Sequence, residues 1–282
     1  MNFEEICKII FLKNKYLKSK DSQVHILCHS LHFSSSVFEG IRVYNKKAFF
    51  LEDHIERLFK SCEIMGLNLV LKKNQVIDIC HEVVKKNKLT NGYIRPIVFR
   101  GAQSMAPDTQ DCEVLLSVAA WKWDIFYKNS SLKLTLAKWK KPGPDVSPVA
   151  AKSSGSYQIS TLAKNDAIKN GYDDVVMLDH KNYVAESSSC NIFWVKDNRI
   201  YTPTTRCSLA GITREIVLNI LKKENIKFKV GNFRLKKLID ADEVFLTGTA
   251  SEIINVCQID KKRFKKRKIT NFLKKKFELL KK

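Results

Sequence analysis

The sequence predicts a protein of the α/β (α+β) class in two domains, and three observations carry that expectation. Short alternating or β-branched segments are interleaved with amphipathic ones, so the apolar period switches repeatedly between 2 and 3.6. The chain has 282 residues, more than a single core usually organises. After the apolar run 113–120 the composition turns polar, through Lys128-Asn129-Ser130-Ser131. Residues 123–130 are therefore expected to link a small N-terminal α/β domain, 1–122, to a larger C-terminal domain, 131–282.

Taken in order, residues 25–32 read as a strand-like apolar segment ending in the turn Ser34-Ser35-Ser36. Residues 37–44 alternate and are β-branched, Asn45-Lys46-Lys47 reads as a turn, and 48–51 return, which is a hairpin pattern. Glu52-Asp53 opens a helix whose apolar face holds His54, Ile55, Leu58, Phe59 and Cys62, with Arg57 off that face in the phase of the charged residues. Residues 73–87 form a second amphipathic helix. Residues 92–101 are a strand whose alternation puts Tyr93 and Arg95 on one face. In the second half, strands are expected at 132–139, 174–179, 192–196 and 243–247. Helices are expected at 159–167 and 213–224, with a basic amphipathic one over 264–282. No internal repeat is visible.

Bulk properties exclude several function classes. No apolar run approaches the roughly 20 residues needed to span a bilayer, and the N-terminal segment, broken by Glu4, Glu5 and Lys8, has no signal-peptide pattern. A cytoplasmic location is expected. The eight cysteines stand singly with no C-x-x-C pair, so neither a disulfide framework nor a metal site is expected. The net charge of +21 comes from lysine spread along the whole chain, concentrated only at 261–268. That reads as solvated faces rather than a nucleic-acid footprint, which would interleave aromatics with a basic stripe.

Several residues suit chemistry. Lys152 lies between small residues in Ala150-Ala151-Lys152-Ser153-Ser154-Gly155-Ser156-Tyr157, after Pro142, Pro144 and Pro148. A lysine pointing into a pocket loses charge through desolvation and becomes a candidate nucleophile; a lysine pointing outward is a solvated charge. Tyr93 and Arg95 together suit a carboxylate, or are the wet face of a sheet. Gly211-Ile212-Thr213 at a helix start presents free N–H groups to an anion, or is a plain N-cap. Glu186 precedes a loop of small residues, and Thr247-Gly248-Thr249-Ala250 ends an apolar strand in a tight turn that also suits backbone anion binding.

In this order the pieces resemble the fold-type IV, or class IV, pyridoxal-phosphate-dependent aminotransferases, and within them the branched-chain amino acid aminotransferases. The resemblance runs from about residue 29 to 259. Its islands are Val37-Phe38-Glu39-Gly40-Ile41-Arg42, Asp53-His54-Ile55-Glu56-Arg57-Leu58, Tyr93-Ile94-Arg95-Pro96, and the stretches 152–157, 183–193, 209–214 and 242–252. It implies a two-domain fold with the cofactor, pyridoxal 5'-phosphate, between the domains. Lys152 would form the aldimine with the cofactor and shuttle the substrate proton. Glu186 would face the pyridine nitrogen and Tyr157 the ring hydroxyl. Arg57, Gly211, Ile212, Thr213 and Thr249 would hold the phosphate, Leu209 would pack on the ring, and Asn191 would support the ring-side loop. Phe38, Tyr93 and Trp123 would line an apolar substrate pocket, with the α-carboxylate at Tyr93 and the Thr249-Ala250 turn. Arg95 would take the distal carboxylate of glutamate.

The implied activity is transamination of leucine, isoleucine and valine with 2-oxoglutarate by at least a homodimer, residues 28–36 reaching the partner's site. D-amino acid transamination and aminodeoxychorismate lyase are the alternatives within the family, and Tyr-Ile-Arg-Pro argues against both. A basic nucleic-acid-binding protein on a dead aminotransferase fold is the alternative outside it. The sequence departs from the family pattern at Phe33 and Phe126, where tyrosine is usual. It departs again at Ser187-Ser188-Ser189-Cys190, where the family has a glycine-rich loop with a second acid, and at Ser153-Ser154-Gly155, where it has Gly-Gly.

Overall fold

A computed structural model describes residues 3–123 and 126–281. The chain forms two compact units, one of residues 1–124 with 151–155, the other of 125–150 with 156–282. Asp124 and Ile125, inside the expected linker, lie outside the described residues.

The first unit holds a seven-stranded sheet built from β1 (Ile9–Leu12), β2 (Lys15–Lys18), β3 (Ser36–Phe38), β4 (Ile41–Tyr44), β5 (Lys47–Ala48), β6 (Gly92–Arg100) and β7 (Val114–Trp121). Their order is β2-β1-β7-β6-β4-β5, with β3 also paired to β6, and every pairing is antiparallel. Its helices are α1 (Phe3–Ile6), α2 (His29–Phe33), α3 (Leu51–Ile64) and α4 (Lys73–Lys86). The apolar stripes of α3 (Leu51, Ile55, Leu58, Cys62) and α4 (Val76, Ile79, Cys80, Val83) pack against Val37, Ile41, Ile94, Val98 and Val118 of the sheet to make one core.

Four expectations are corrected here. Residues 25–32 are not a strand: a turn leads into α2, whose first N–H donates to Gly101 O, and Ser34 closes the helix in the left-handed region at φ 53°. Ile26, Leu27 and Leu31 are exposed and only the adjacent Cys28 and His29 are buried, so the segment has no alternating buried face. Residues 37–44 are two strands. Both lie along β6 in one unbroken register, Phe38 opposite Ile97 and Ile41 opposite Ile94, and the break at Glu39–Gly40 falls opposite Pro96, which has no N–H to donate. The returning strand of the hairpin is only two residues long, because Phe50 adopts a left-handed conformation and Leu51 already begins α3. In the second half, the strand expected at 132–139 is Ser131–Leu136.

The second unit holds a nine-stranded mixed sheet of β8 (Ser131–Leu136), β9 (Asp174–Leu178), β10 (Val184–Glu186), β11 (Asn191–Lys196), β12 (Arg199–Pro203), β13 (Phe228–Gly231), β14 (Glu243–Gly248), β15 (Glu252–Ile259) and β16 (Lys262–Arg263). The order is β10-β9-β8-β15-β14-β11-β12-β13, with β16 on β15, and the pairs β8–β9, β8–β15 and β12–β13 are parallel. Its helices are α5 (Gln158–Lys169), α6 (Ile212–Lys223), α7 (Leu235–Ile239) and α8 (Lys268–Leu279). One face of the sheet buries Leu132, Val176, Ile192, Trp194, Leu246 and Val256 in a single cluster. The expected C-terminal helix over 264–282 begins only at Lys268. Phe264 is buried before it, and the Glu243 carboxylate accepts the N–H groups of Ile269 and Thr270, ending the helix where a negative charge meets free donors. Thr270, Leu273 and Phe277 bury its inner face, so it is docked rather than fully solvated.

Candidate active site

In the first unit, residues 151–155 are held as an edge against β3. Phe38 N donates to Lys152 O at 3.1 Å, Ser154 N donates to Ser36 O at 3.0 Å, and Val37 and Ser153 form an antiparallel bridge. Lys152 N donates to Ser61 Oγ at 3.0 Å, and that hydroxyl donates to Arg57 O at 2.8 Å. The backbone of Lys152 is thus fixed to both β3 and α3. Its Nζ stands 4.9 Å from the centre of the Phe38 ring. Burial disfavours the ammonium, and Arg57 and Arg95 add to that effect while Glu39 and Tyr93 oppose it; the amine is brought down to a pKa of about 8. The sequence left this lysine open between nucleophile and solvated charge, and the structure places it inside.

Below it lies an ion network with no counterpart in the sequence reading. Glu39 is fully buried, and both its oxygens are used: Arg57 Nε donates to Oε1 at 2.6 Å and Arg57 Nη2 to Oε2 at 2.9 Å, while His54 Nδ1 contacts Oε2 at 2.7 Å. Burial alone would push the Glu39 carboxyl up, but Arg57 and then His54 outweigh it and hold it far below the usual carboxylate range. His54 is pushed down by burial, with Glu39 opposing, so near pH 7 its ring is neutral and donates from Nδ1. Arg57 is therefore no surface arginine. The bidentate pair engages two of its five N–H donors and fixes the guanidinium plane.

Tyr93 and Arg95 do share a face of β6, and that face is only partly solvated, with Tyr93 buried and Arg95 half-buried. Arg95 Cζ lies 4.6 Å from the Phe38 ring centre and 5.6 Å from that of Tyr93. Its Nε is buried without a hydrogen-bond partner among the described residues. An orphaned cationic donor is costly unless an anion completes it. Trp123 packs edge-on against Tyr93 at 4.8 Å, and its carbonyl accepts from Arg42. Gly40 is required by this packing, since a Cβ there would stand 1.7 Å from Tyr93 Oη.

In the second unit, Glu186 ends β10 and its Oε1 is 2.9 Å from Lys141 Nζ, both groups being buried. Burial would lower the Lys141 amine, but Glu186 outweighs it and raises it above its ordinary value, with Tyr157 adding to the rise. The unit's buried lysine thus stays charged, whereas Lys152 is eased toward neutrality. Asn191 opens β11, donating from Nδ2 to Leu209 O at 3.0 Å. Gly211 has to be glycine because a Cβ would lie 2.0 Å from Asn191 Oδ1. Gly211 is the N-cap of α6, with no side-chain cap, and Thr213 is buried in the first turn, where helical N–H groups lack internal partners. Asn191 pairs with Thr247 across β11 and β14, so the turn bearing Thr249 and Ala250 leaves the same end of the sheet as the 209–213 loop.

Of the expected residues, Phe38, Arg57, Tyr93, Arg95, Trp123 and Lys152 lie in the first unit, and Tyr157, Glu186, Asn191, Leu209, Gly211, Ile212, Thr213, Thr249 and Ala250 in the second. Sequence reasoning missed Glu39, His54, Ser61 and Lys141 as site residues. An acid in the apolar run Val37-Phe38-Glu39-Gly40-Ile41 was a signal for Glu39. Lys141, one of two adjacent lysines, gave none.

Comparison with known proteins adds an independent finding. Residues 36–259 match the family model for amino-transferase class IV. A probable branched-chain-amino-acid aminotransferase of Rickettsia bellii is 35% identical over 98% of this chain and 97% of its own length. The branched-chain-amino-acid aminotransferase of Pseudomonas aeruginosa is 34% identical over 89% and 85%. Among solved structures, the T.th. branched-chain amino acid aminotransferase in complex with N-(5'-phosphopyridoxyl)-L-glutamate superposes with a TM-score of 0.93 at 31% identity, over 98% of this chain and 94% of that one. The enzyme of Thermoproteus uzoniensis with norvaline does so with a TM-score of 0.94 at 29% identity, over 98% and 95%.

Proposed function

We propose that this chain, which belongs to the class IV aminotransferase family, transfers the amino group of leucine, isoleucine or valine to 2-oxoglutarate with pyridoxal 5'-phosphate as cofactor. The observation that carries the reading is Lys152, a lysine held by its backbone to two elements, packed on Phe38, and brought down toward neutrality by burial between Arg57 and Arg95. The residues present fit the cofactor: a buried lysine of lowered pKa suits its aldehyde, a buried carboxylate its ring nitrogen, and a helix N-terminus its phosphate. When bound, pyridoxal phosphate supplies an aldehyde that takes up amines and a ring that withdraws electrons from the substrate Cα.

The chain's own residues do the rest. Lys152 would hold the cofactor at its aldehyde carbon, and its amine would carry the proton from the substrate Cα. Glu186, paired with Lys141, would hold a proton on the ring nitrogen, and Tyr157 would donate to the ring hydroxyl oxygen. Arg57, locked in plane by Glu39, and the N–H groups of Ile212 and Thr213 neutralise the phosphate, with Thr249 closing that cradle. Leu209 packs on the ring, and Asn191 with Gly211 fixes the 209–213 loop. Phe38, Tyr93 and Trp123 receive an aliphatic side chain. Tyr93 and the Thr249-Ala250 turn take the α-carboxylate, and the orphaned Arg95 Nε takes the distal carboxylate of glutamate. Exclusion of water by the aromatic wall strengthens each of these contacts.

Residues 28–36 are assigned to a homodimer contact, supported by the exposed apolar side chains Leu31 and Phe33 on α2. Among the described residues no helix is long and apolar enough to cross a membrane. Half-reaction spectra with L-leucine, L-glutamate and D-alanine test the reading. Leucine and glutamate are expected to bleach the cofactor band and D-alanine to leave it. No response to leucine would refute the assignment, and a response to D-alanine alone would move the chain to the D-specific branch.

A further inference from the structure

Away from the residues assigned above, the second unit gathers three metal-ligating side chains, two adjacent in the sequence and the third twenty-seven positions further on. A carboxylate oxygen of Asp179, a ring nitrogen of His180 and Cys207 Sγ all lie within 4.8 Å of one another. The Cys207 Sγ to His180 Nδ1 distance is 3.8 Å. Two such atoms on one tetrahedral zinc, with Zn–S about 2.3 Å and Zn–N about 2.05 Å, stand about 3.6 Å apart. The observed spacing needs only a few tenths of an ångström of adjustment. A fourth group is close: a Cβ added at Gly143 would meet Asp145 Oδ1 at 2.3 Å and His180 Nδ1 at 3.1 Å, so the carboxylate and the imidazole sit on the same side of that glycine.

The supporting contacts are those a coordinated ion needs. Asp179 Oδ1 accepts the N–H groups of Lys181 and Tyr183 at 2.9 and 2.8 Å, which fixes the carboxylate and leaves its other oxygen to a ligand or to the thiol. Asp179 is also bridged through its backbone to Lys141, and His180 N donates to Lys141 O. Cys207 is buried, two residues before Leu209. Two carboxylates and a thiol around one imidazole form a donor set of borderline softness, which matches zinc rather than magnesium or calcium.

We propose that Asp179, His180 and Cys207, with Asp145 within reach as a fourth ligand, form a zinc-binding site that ties together the 179–183 hairpin turn, the 143–145 loop and the 205–209 loop. The bound ion stiffens the segments that carry Lys141 and Leu209 and takes no part in the chemistry. The site stands whether or not the aminotransferase reading holds.

The test is a cobalt titration of the metal-stripped full-length protein, with Cys207→Ser and His180→Ala alongside. One Co2+ per chain is expected, with a thiolate-to-cobalt charge-transfer band and the d–d intensity of a tetrahedral ion, both displaced by Zn2+. Cys207→Ser is expected to abolish the charge-transfer band, and His180→Ala to weaken binding at least about tenfold, the loss typical even of a disturbed outer-shell partner. Circular dichroism confirms that both variants fold, and His180, outside the core, serves if the cysteine variant does not. No charge-transfer band in the wild type would overturn the site. So would a band that survives Cys207→Ser, which would place the ion on another cysteine, or affinity unchanged by His180→Ala.

Discussion

Replacing Glu39 by Gln removes the buried negative charge that holds Arg57 and His54 in the first unit. Glu39 and His54 are almost wholly buried and the Arg57 side chain is 14% exposed. The variant takes the bidentate carboxylate from the Arg57 guanidinium and the anionic acceptor from the His54 imidazole. Removing one partner of a buried ion pair typically costs about 3–5 kcal/mol, because the surviving charge stays desolvated. Removing both partners, as in Glu39→Gln with Arg57→Leu, leaves no orphan charge and is expected to cost at least about 1.5 kcal/mol less than the sum of the single variants. The assay is a double-mutant cycle by denaturant unfolding, followed through the tryptophan fluorescence that Trp121 and Trp123 contribute in this unit. Costs that add within about 0.5 kcal/mol would show that the two residues do not interact as described. The same network sets a pH dependence. Because Glu39 is depressed in the folded chain, its stabilisation is complete above the unfolded-state value near 4.5 and is lost as pH falls from there toward the folded-state value.

Lys152 carries the opposite sign. Its depression to about 8 from 10.5 raises the neutral fraction at pH 7 about 300-fold. The rate at which a small amine-selective reagent labels Lys152 should therefore rise with a midpoint near pH 8, and a midpoint near 10.5 would show an ordinary solvated lysine. The unfolded chain binds this proton more tightly, so Lys152 destabilises the fold fully below pH 8, and the penalty is relieved as pH rises from about 8 to 10.5. Arg95→Ala should raise KM for glutamate about ten- to hundredfold, the worth of a charge-assisted hydrogen bond of about 1.5–3 kcal/mol, and change leucine far less. Equal losses for both substrates would remove Arg95 from the distal carboxylate. Gly40→Ala should displace Tyr93, at an overpacking cost of about 1–3 kcal/mol, and weaken all substrates together. A variant with unchanged stability and KM would contradict the close approach to Tyr93 Oη.

Periodicity located the long elements because each has one dry side. The two long helices of the first unit, α3 and α4, were legible in this way, as were β6 and β7, whose apolar and β-branched runs end at turn residues. The N-terminal hairpin of β1 and β2 was not, since its second strand, Lys15–Lys18, reads as polar. Residues 25–33 misled for the converse reason: apart from buried Cys28 their apolar side chains are exposed, so their spacing reports no core. The site was legible where chemistry demands a residue type at a fixed place, as at Lys152, Glu186 and Gly211-Ile212-Thr213. It was not legible where partners meet only through the fold. Glu39 and Arg57 are eighteen positions apart, Lys141 and Glu186 forty-five, and Asp179 and Cys207 twenty-eight. Only sheet pairing and helix docking bring them together.

Two buried lysines distinguish the account from its competitors. Lys152 is eased toward neutrality by burial between arginines, and Lys141 is held charged by Glu186. Borohydride reduction of the protein loaded with pyridoxal phosphate, followed by peptide mass spectrometry, reads directly which amine the cofactor joins. The expected result is a single phosphopyridoxyl adduct, on Lys152, absent from Lys152→Ala. An adduct on Lys141 or on a surface lysine, or no stoichiometric adduct at all, would contradict the assignment of Lys152 as the residue that carries the cofactor.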